Sequence, residues 1–161
     1  YHKKIAEKIL NSNLIFSEKL EIIKPEIKFK NSRLDFLVKT KSFTSLIEVK
    51  GCTLSKDNIA FFPDAPTKRG NRHLHDLIEA QKLGFKAILL ILIFSKSKCF
   101  LPNFYTDKIF SSTFIKALEH KIEIFPLQLA YSFYSQTVHF IKFIPLCQKV
   151  NKILQKRSQL S

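Results

Sequence analysis

The chain has 161 residues, enough for one domain with a substantial core, and its 45% hydrophobic content excludes a disordered polymer. Its 27 Lys+Arg against 13 Asp+Glu give a formal charge of +14, which favours polyanionic partners through counterion release. The same surplus fits an anionic membrane surface or a ribosome, and accompanies a Lys-, Ile-, Phe- and Asn-rich composition, so charge alone selects no ligand.

Residues 2–10 carry Ile5, Ile9 and Leu10 among charges, which predicts a short amphipathic helix. Residues 20–29 alternate loosely around Pro25, as an edge or bent strand does. Two further strands are expected over 33–39 and 44–52, split by the polar turn Thr40-Lys41-Ser42. Residues 53–70, with Pro63, Pro66 and Gly70, read as a long ordered loop. Asn71 is placed to cap a helix running to Leu83, with Gly84 at its left-handed end.

The apolar run 87–94 is too short to cross a bilayer and reads as a buried strand. A helix over 110–120, strands over 122–127 and 137–144, and a basic helix over 146–155 complete the pattern, with 155–161 expected to fray. This order indicates an α/β (mixed α+β) fold with helices on both faces of a central sheet.

Cys52, Cys99 and Cys147 are dispersed and show no metal-ligand spacing. An odd trio predicts free thiols in a reducing, cytoplasmic compartment, without a disulfide framework or structural zinc. No apolar leader follows Tyr1-His2-Lys3-Lys4, and methionine is absent throughout, which predicts a fragment or a processed chain. Gly51, Gly70 and Gly84 are the only glycines, and each is expected to hold unusual backbone angles.

Asp35, Glu48 and Lys50 carry the most chemistry. In a strand, residues i and i+2 share a face, so Glu48 and Lys50 project together while Ile47 and Val49 face away. If 33–39 pairs with 44–52 as a hairpin, Asp35 reaches the same face. Two carboxylates can then hold a hard divalent cation, and an amine beside them can orient water or balance charge on a phosphate oxygen. An acid–lysine pair is also an ordinary decoration of a solvated sheet face, and spacing alone does not separate the two readings.

The blocks Asn31-Ser32-Arg33-Leu34-Asp35-Phe36, then 47–54, then 62–74, in that order and spacing, are similar to the sugar fermentation stimulation (SfsA) family. The resemblance covers residues 1–95 well and the remainder in pattern. It implies a restriction-endonuclease-like PD-(D/E)XK core: a central mixed sheet flanked by helices, forming one nuclease-like domain over 1–161. In the family an OB-like domain precedes this core, and it is expected to be missing here.

The resemblance further implies that Asp35 and Glu48 are the two acids of the nuclease motif and Lys50 its lysine, with Leu34 where the motif's name has proline. Mg²⁺ or Mn²⁺ is the implied cofactor, on Asp35, Glu48 and the Val49 carbonyl. An upstream helical acid often completes such sites; Glu7 and Glu18 compete for that place, with Glu18 ranked ahead. Asp64, Lys68, Arg69, Arg72 and His73 are expected around the metal, and Arg33, Lys68, Arg69, Arg72 and His73 are the expected nucleic-acid contacts. His73 and His75 cannot share a helix face and make a poor metal pair, while Asp76 and Glu79 read as surface charges.

The leading function is therefore a DNA-binding, metal-dependent nuclease hydrolysing phosphodiester bonds. The alternative is a regulatory DNA-binding protein on an idle nuclease scaffold, and a basic module for a membrane or ribosome ranks last. A nuclease needs Asp35, Glu48 and Lys50 together, and all three are present.

Overall fold

The computed structural model describes residues 1–160. Its elements are α1 (His2–Leu10), β1 (Ile22–Phe29), β2 (Ser32–Lys39), β3 (Thr44–Cys52), β4 (Leu54–Lys56), β5 (Ile59–Phe62), α2 (Lys68–Lys82), β6 (Lys86–Ile93), β7 (Cys99–Pro102), α3 (Lys108–Glu119), β8 (Glu123–Ser132), β9 (Thr137–Phe143) and α4 (Gln148–Leu160).

A six-stranded sheet runs β1-β2-β3-β6-β8-β9. β3, β6 and β8 are parallel to one another, and the hairpin strands on either side are antiparallel, so the sheet is mixed. β6 alternates its side chains between two layers. Ala87, Leu89, Ile91 and Ile93 meet Leu74, Leu77, Phe110 and Phe114 of α2 and α3. Ile88, Leu90 and Leu92 meet Ile5, Ala6, Ile9 and Leu10 of α1. A strand covered on both faces is apolar throughout, which is why 87–94 lacks polar alternation. Pro25 falls in β1, the edge strand, where its missing N–H is tolerated.

Several expectations need correction. The stretch 53–70 is not a single loop. β4 and β5 form a hairpin whose turn residues, Asp57 (φ 53°) and Asn58 (φ 62°), are both left-handed, as a two-residue hairpin turn requires. β7 pairs with β5 to complete a second, three-stranded sheet.

α2 starts four residues earlier than the Asn71 cap implied. Thr67 is its cap, accepting the Gly70 N–H at 2.9 Å. β8 continues to Ser132, and α4 stays helical through Leu160, with Arg157 bonding Glu119 at 2.9 Å. Ser161 lies outside the described residues.

Gly84 alone among the glycines has a positive φ, 96°, closing α2 while the Phe85 N–H reaches the Ala80 carbonyl. The other two are needed for space: a Cβ at Gly70 would stand 2.8 Å from Thr67 Cγ2, and one at Gly51 would enter the His2 ring.

The thiol reading is also overturned. Cys99 and Cys147 form a disulfide, because the Phe100–Leu146 bridge sets β7 beside the residues that lead into α4. Cys52 remains free; burial pushes its thiol up to about 12, which leaves it inert as a nucleophile. No helix among the described residues is long and apolar enough to cross a membrane.

Candidate active site

Alternation along β3 projects Glu48 and Lys50 to one face, as strand periodicity implied. Ile47 and Val49 pack under α1, while Glu48 and Lys50 face α2. There Glu48 meets His73, which sits 3% exposed on the second turn of α2. Glu48 Oε1 lies 2.6 Å from His73 Nδ1 and 2.7 Å from Lys50 Nζ, and those two nitrogens are 2.9 Å apart. The three atoms form a closed triangle. Nδ1 either donates to Glu48 or accepts from Lys50, according to where one proton rests.

The other oxygen of Glu48, Oε2, is buried and has no hydrogen-bond partner. Burial pushes this carboxyl up, but the His73 hydrogen bond and the Lys50 ammonium outweigh it and hold the group below the usual carboxylate range.

Asp35 is positioned by a break in the β2–β3 ladder. The register between the strands runs from Lys39↔Thr44 to Phe36↔Ile47 and stops there. One residue on, Asp35 Oδ2 accepts the Val49 N–H at 2.8 Å, in place of a backbone carbonyl. Oδ1 lies 3.5 Å from Lys3 Nζ on α1. Burial and the nearby Glu48 charge push the Asp35 carboxyl up, and the Val49 N–H, Lys3 and Lys50 offset only part of that.

Two carboxylates are thus crowded together and both are largely shielded from water. Among the described residues, no group of three or more His, Cys, Asp or Glu side chains gathers as a metal cage. The oxygen donors here are the Asp35 carboxylate and Glu48 with its orphan Oε2. That set fits a hard cation which completes its shell with water or phosphate oxygens.

The other expected residues are spread more widely. Glu18 lies off any helix and accepts from Ser42 Oγ at the tip of the β2–β3 hairpin, remote from Asp35. Glu7 is exposed on α1 beside Lys4, Lys8 and Asn11; Lys3, one turn earlier, is the α1 residue that reaches Asp35. Asp64, Lys68, Arg69 and Arg72 are exposed, the last three on the first turns of α2. Arg33 is exposed on β2, 3.9 Å from Glu26.

His75 points away from His73 into solvent, as expected, and Glu79 is a surface charge bonded to Lys82. Asp76 is not one. It is 4% exposed, and its Oδ2 has no partner. Sequence reading missed Lys3 altogether and did not foresee the bond between His73 and Glu48. Both depend on which helix covers which face of the sheet.

The fold and site together define a mixed α/β domain with an acid–acid–lysine cluster where two strands of the central sheet part. The profile of the sugar fermentation stimulation protein RE domain matches residues 1–134, and the chain belongs to this SfsA family. It is 48% identical over 127 residues to the sugar fermentation stimulation protein homolog of Thermosipho melanesiensis, covering 79% of this chain and 53% of that protein. It is 40% identical over 163 residues to the homolog of Sulfurisphaera tokodaii, covering 99% and 64%.

The structure of Pyrococcus furiosus SfsA in complex with Ca²⁺ superimposes with a TM-score of 0.80 at 29% identity, over 90% of this chain and 62% of that one. The chain therefore spans between half and two-thirds of the length of these relatives.

Proposed function

We propose that this domain is a metal-dependent phosphodiesterase acting on DNA, with Asp35 and Glu48 as ligands of Mg²⁺ or Mn²⁺. The observation that carries this reading is the buried, unpartnered Oε2 of Glu48 beside an Asp35 carboxyl pushed up by burial and by Glu48 itself. A buried carboxylate oxygen without a partner, beside a second carboxyl, is costly in an idle structure, and a divalent cation relieves it. The Ca²⁺ bound by the Pyrococcus furiosus relative is a hard, oxygen-seeking ion of the same chemical class.

When bound, the ion supplies Lewis-acid stabilisation of the phosphoryl oxygens and lowers the pKa of a coordinated water. The chain's own residues do the rest. Val49 N–H fixes the orientation of the Asp35 carboxylate. His73 holds Glu48 Oε1, so that Oε2 faces the remaining space. Lys50 Nζ, tied to Glu48 and His73, has a third N–H for a water or a phosphate oxygen. The excess of basic residues draws in the polyanion.

Titration calorimetry with Mn²⁺ and Mg²⁺ on wild type and Glu48→Ala, then cleavage of labelled single- and double-stranded DNA, tests the reading. Metal binding and metal-dependent cutting that both vanish in the variant support it. Absence of metal binding by the wild type would sink it and leave a basic DNA-binding domain on this scaffold.

A further inference from the structure

The β8–β9 hairpin overhangs the end of the sheet toward which the site lies. Gln128 of β8 pairs with Ile93, the last residue of β6, and β8 continues four residues to Ser132, about 13 Å at the usual rise per residue. The site lies toward the same end of the sheet, since Lys50 pairs with Ile91 near the end of β6.

The tip of this overhang is aromatic and unburied. Tyr131 is 44% exposed, Phe133 85%, and Tyr134 fully exposed. Phe133 packs edge-on against Tyr131 with ring centroids 5.0 Å apart. The turn is held rather than loose: the Ser135 N–H donates to Ser132 Oγ, and Thr137 Oγ1 bonds both Ser135 Oγ and His139 Nε2.

Beside the tip lies a groove of about 230 Å³, where Gln136 and Thr137 of the hairpin face Lys4 and Lys8 of α1. No Asp or Glu follows Glu123, the first residue of β8, so the rest of the hairpin and everything after it present only positive or neutral side chains.

Exposed rings near Lys4 and Lys8, with Glu7 between them on α1 and no acid after Glu123, match a ligand that is both flat and anionic. A second copy of this chain carries the same +14 charge and would be repelled. Bases of a duplex are stacked inside and cannot reach a projecting ring, whereas those of a single strand can.

We propose that the hairpin tip is a stacking platform for single-stranded nucleic acid, with Phe133 and Tyr134 receiving bases while Lys4 and Lys8 take the phosphates. β8 lies two strands, about 10 Å, sideways from β3. The groove lies on the α1 face of the sheet and Lys50 on the α2 face, so a strand gripped at the tip passes round the end of the sheet to reach Lys50. The inference deepens the nuclease reading and rests on it for the direction of travel, but the binding itself does not need cleavage.

The test is fluorescence anisotropy with labelled oligothymidylate and with a blunt duplex, on wild type, the Phe133→Ala/Tyr134→Ala pair and the Phe133→Leu/Tyr134→Leu pair. Single-strand affinity should fall about tenfold or more in both hairpin variants, with duplex affinity little changed and thermal melting preserved. Equal affinity in wild type and the Ala pair would overturn the platform, and so would full binding by the Leu pair, which keeps apolar area without rings. Loss in the Ala pair of binding to phosphatidylserine vesicles, with single-strand binding intact, would reassign the tip to a membrane surface. Hairpin-dependent binding by a wild type that never cuts would leave the platform standing and remove the nuclease.

Discussion

Asp35 stands in the β2–β3 ladder as a substitute carbonyl, its Oδ2 taking the Val49 N–H at 2.8 Å one step after the backbone pairing ends at Phe36↔Ile47. A hydrogen bond to a charged acceptor contributes about 1.5–3 kcal/mol. It also fixes the carboxylate beside the residue that follows Glu48. The structure thus uses the parting of two strands to aim an acid.

That arrangement predicts an unusual pH slope. The Asp35 carboxyl is raised in the folded state, so below the ordinary aspartate range both states keep the proton and Asp35 costs nothing. As pH climbs, the unfolded chain ionises first and stability falls, until the folded carboxyl ionises too and the cost levels off. Asp35→Asn keeps an oxygen for the Val49 N–H and removes the slope. Without divalent ions the variant should be more stable than wild type at pH 7 and indistinguishable near pH 3. Chemical denaturation at the two pH values checks this. Saturating Mn²⁺ should stabilise wild type and leave the variant unmoved.

Glu48 should behave in the opposite sense. Burial raises its carboxyl, but the His73 bond and Lys50 lower it further, so its folded value lies below the ordinary one. Its contribution is present above the ordinary glutamate range and lost as pH falls through the depressed folded value. Glu48→Gln should cost about 1–3 kcal/mol at pH 7, and the deficit should shrink in acid. A wild-type and variant pair with parallel denaturation profiles across pH would refute this assignment.

These two residues also show how much could be read in advance. The i, i+2 rule placed Glu48 with Lys50 and set Ile47 and Val49 opposite, and it needed only strand periodicity. The break at Asp35 leaves no local signature, since it is a failure of pairing between strands. β4, β5 and β7 have three or four residues each, too few for a period to stand out, although Asp57-Asn58 is a readable hairpin turn in hindsight. Asp76 was misjudged because polarity was taken for exposure, while its helix face lies against the core. Cys99 and Cys147 are 48 residues apart, and only the topology joins them.

The disulfide should be a large contributor to stability. In the chain-entropy account, closing a loop of this length is worth about 4 kcal/mol. Reduction, or the Cys99→Ser/Cys147→Ser pair, should lower Tm by roughly 10 °C. The loss should begin at α4, whose single fully buried side chain is Val150. Differential scanning calorimetry with and without reductant measures the shift, and hydrogen exchange shows whether α4 opens first.

Asp107 joins two helices at their starts. Its Oδ1 accepts the Phe110 N–H at 2.9 Å, capping α3, and its Oδ2 accepts the Thr67 N–H at 2.8 Å, at the cap of α2. Asp107→Ala should cost about 1–2 kcal/mol. It should also loosen α2 enough to disturb His73. An imidazole NMR signal of His73 that stays unchanged in the folded variant would show that α2 is seated without Asp107.

Lys3 bonds Glu26 at 2.8 Å while lying 3.5 Å from Asp35. On the proposed function, a cation arriving at Asp35 would displace an ammonium that already has a second partner, and the exchange would strand no charge. By reciprocity, whatever tightens Lys3 on Asp35 weakens the grip on the ion by the same factor. Loading of the acid and docking of the first helix turn are one equilibrium seen from its two ends.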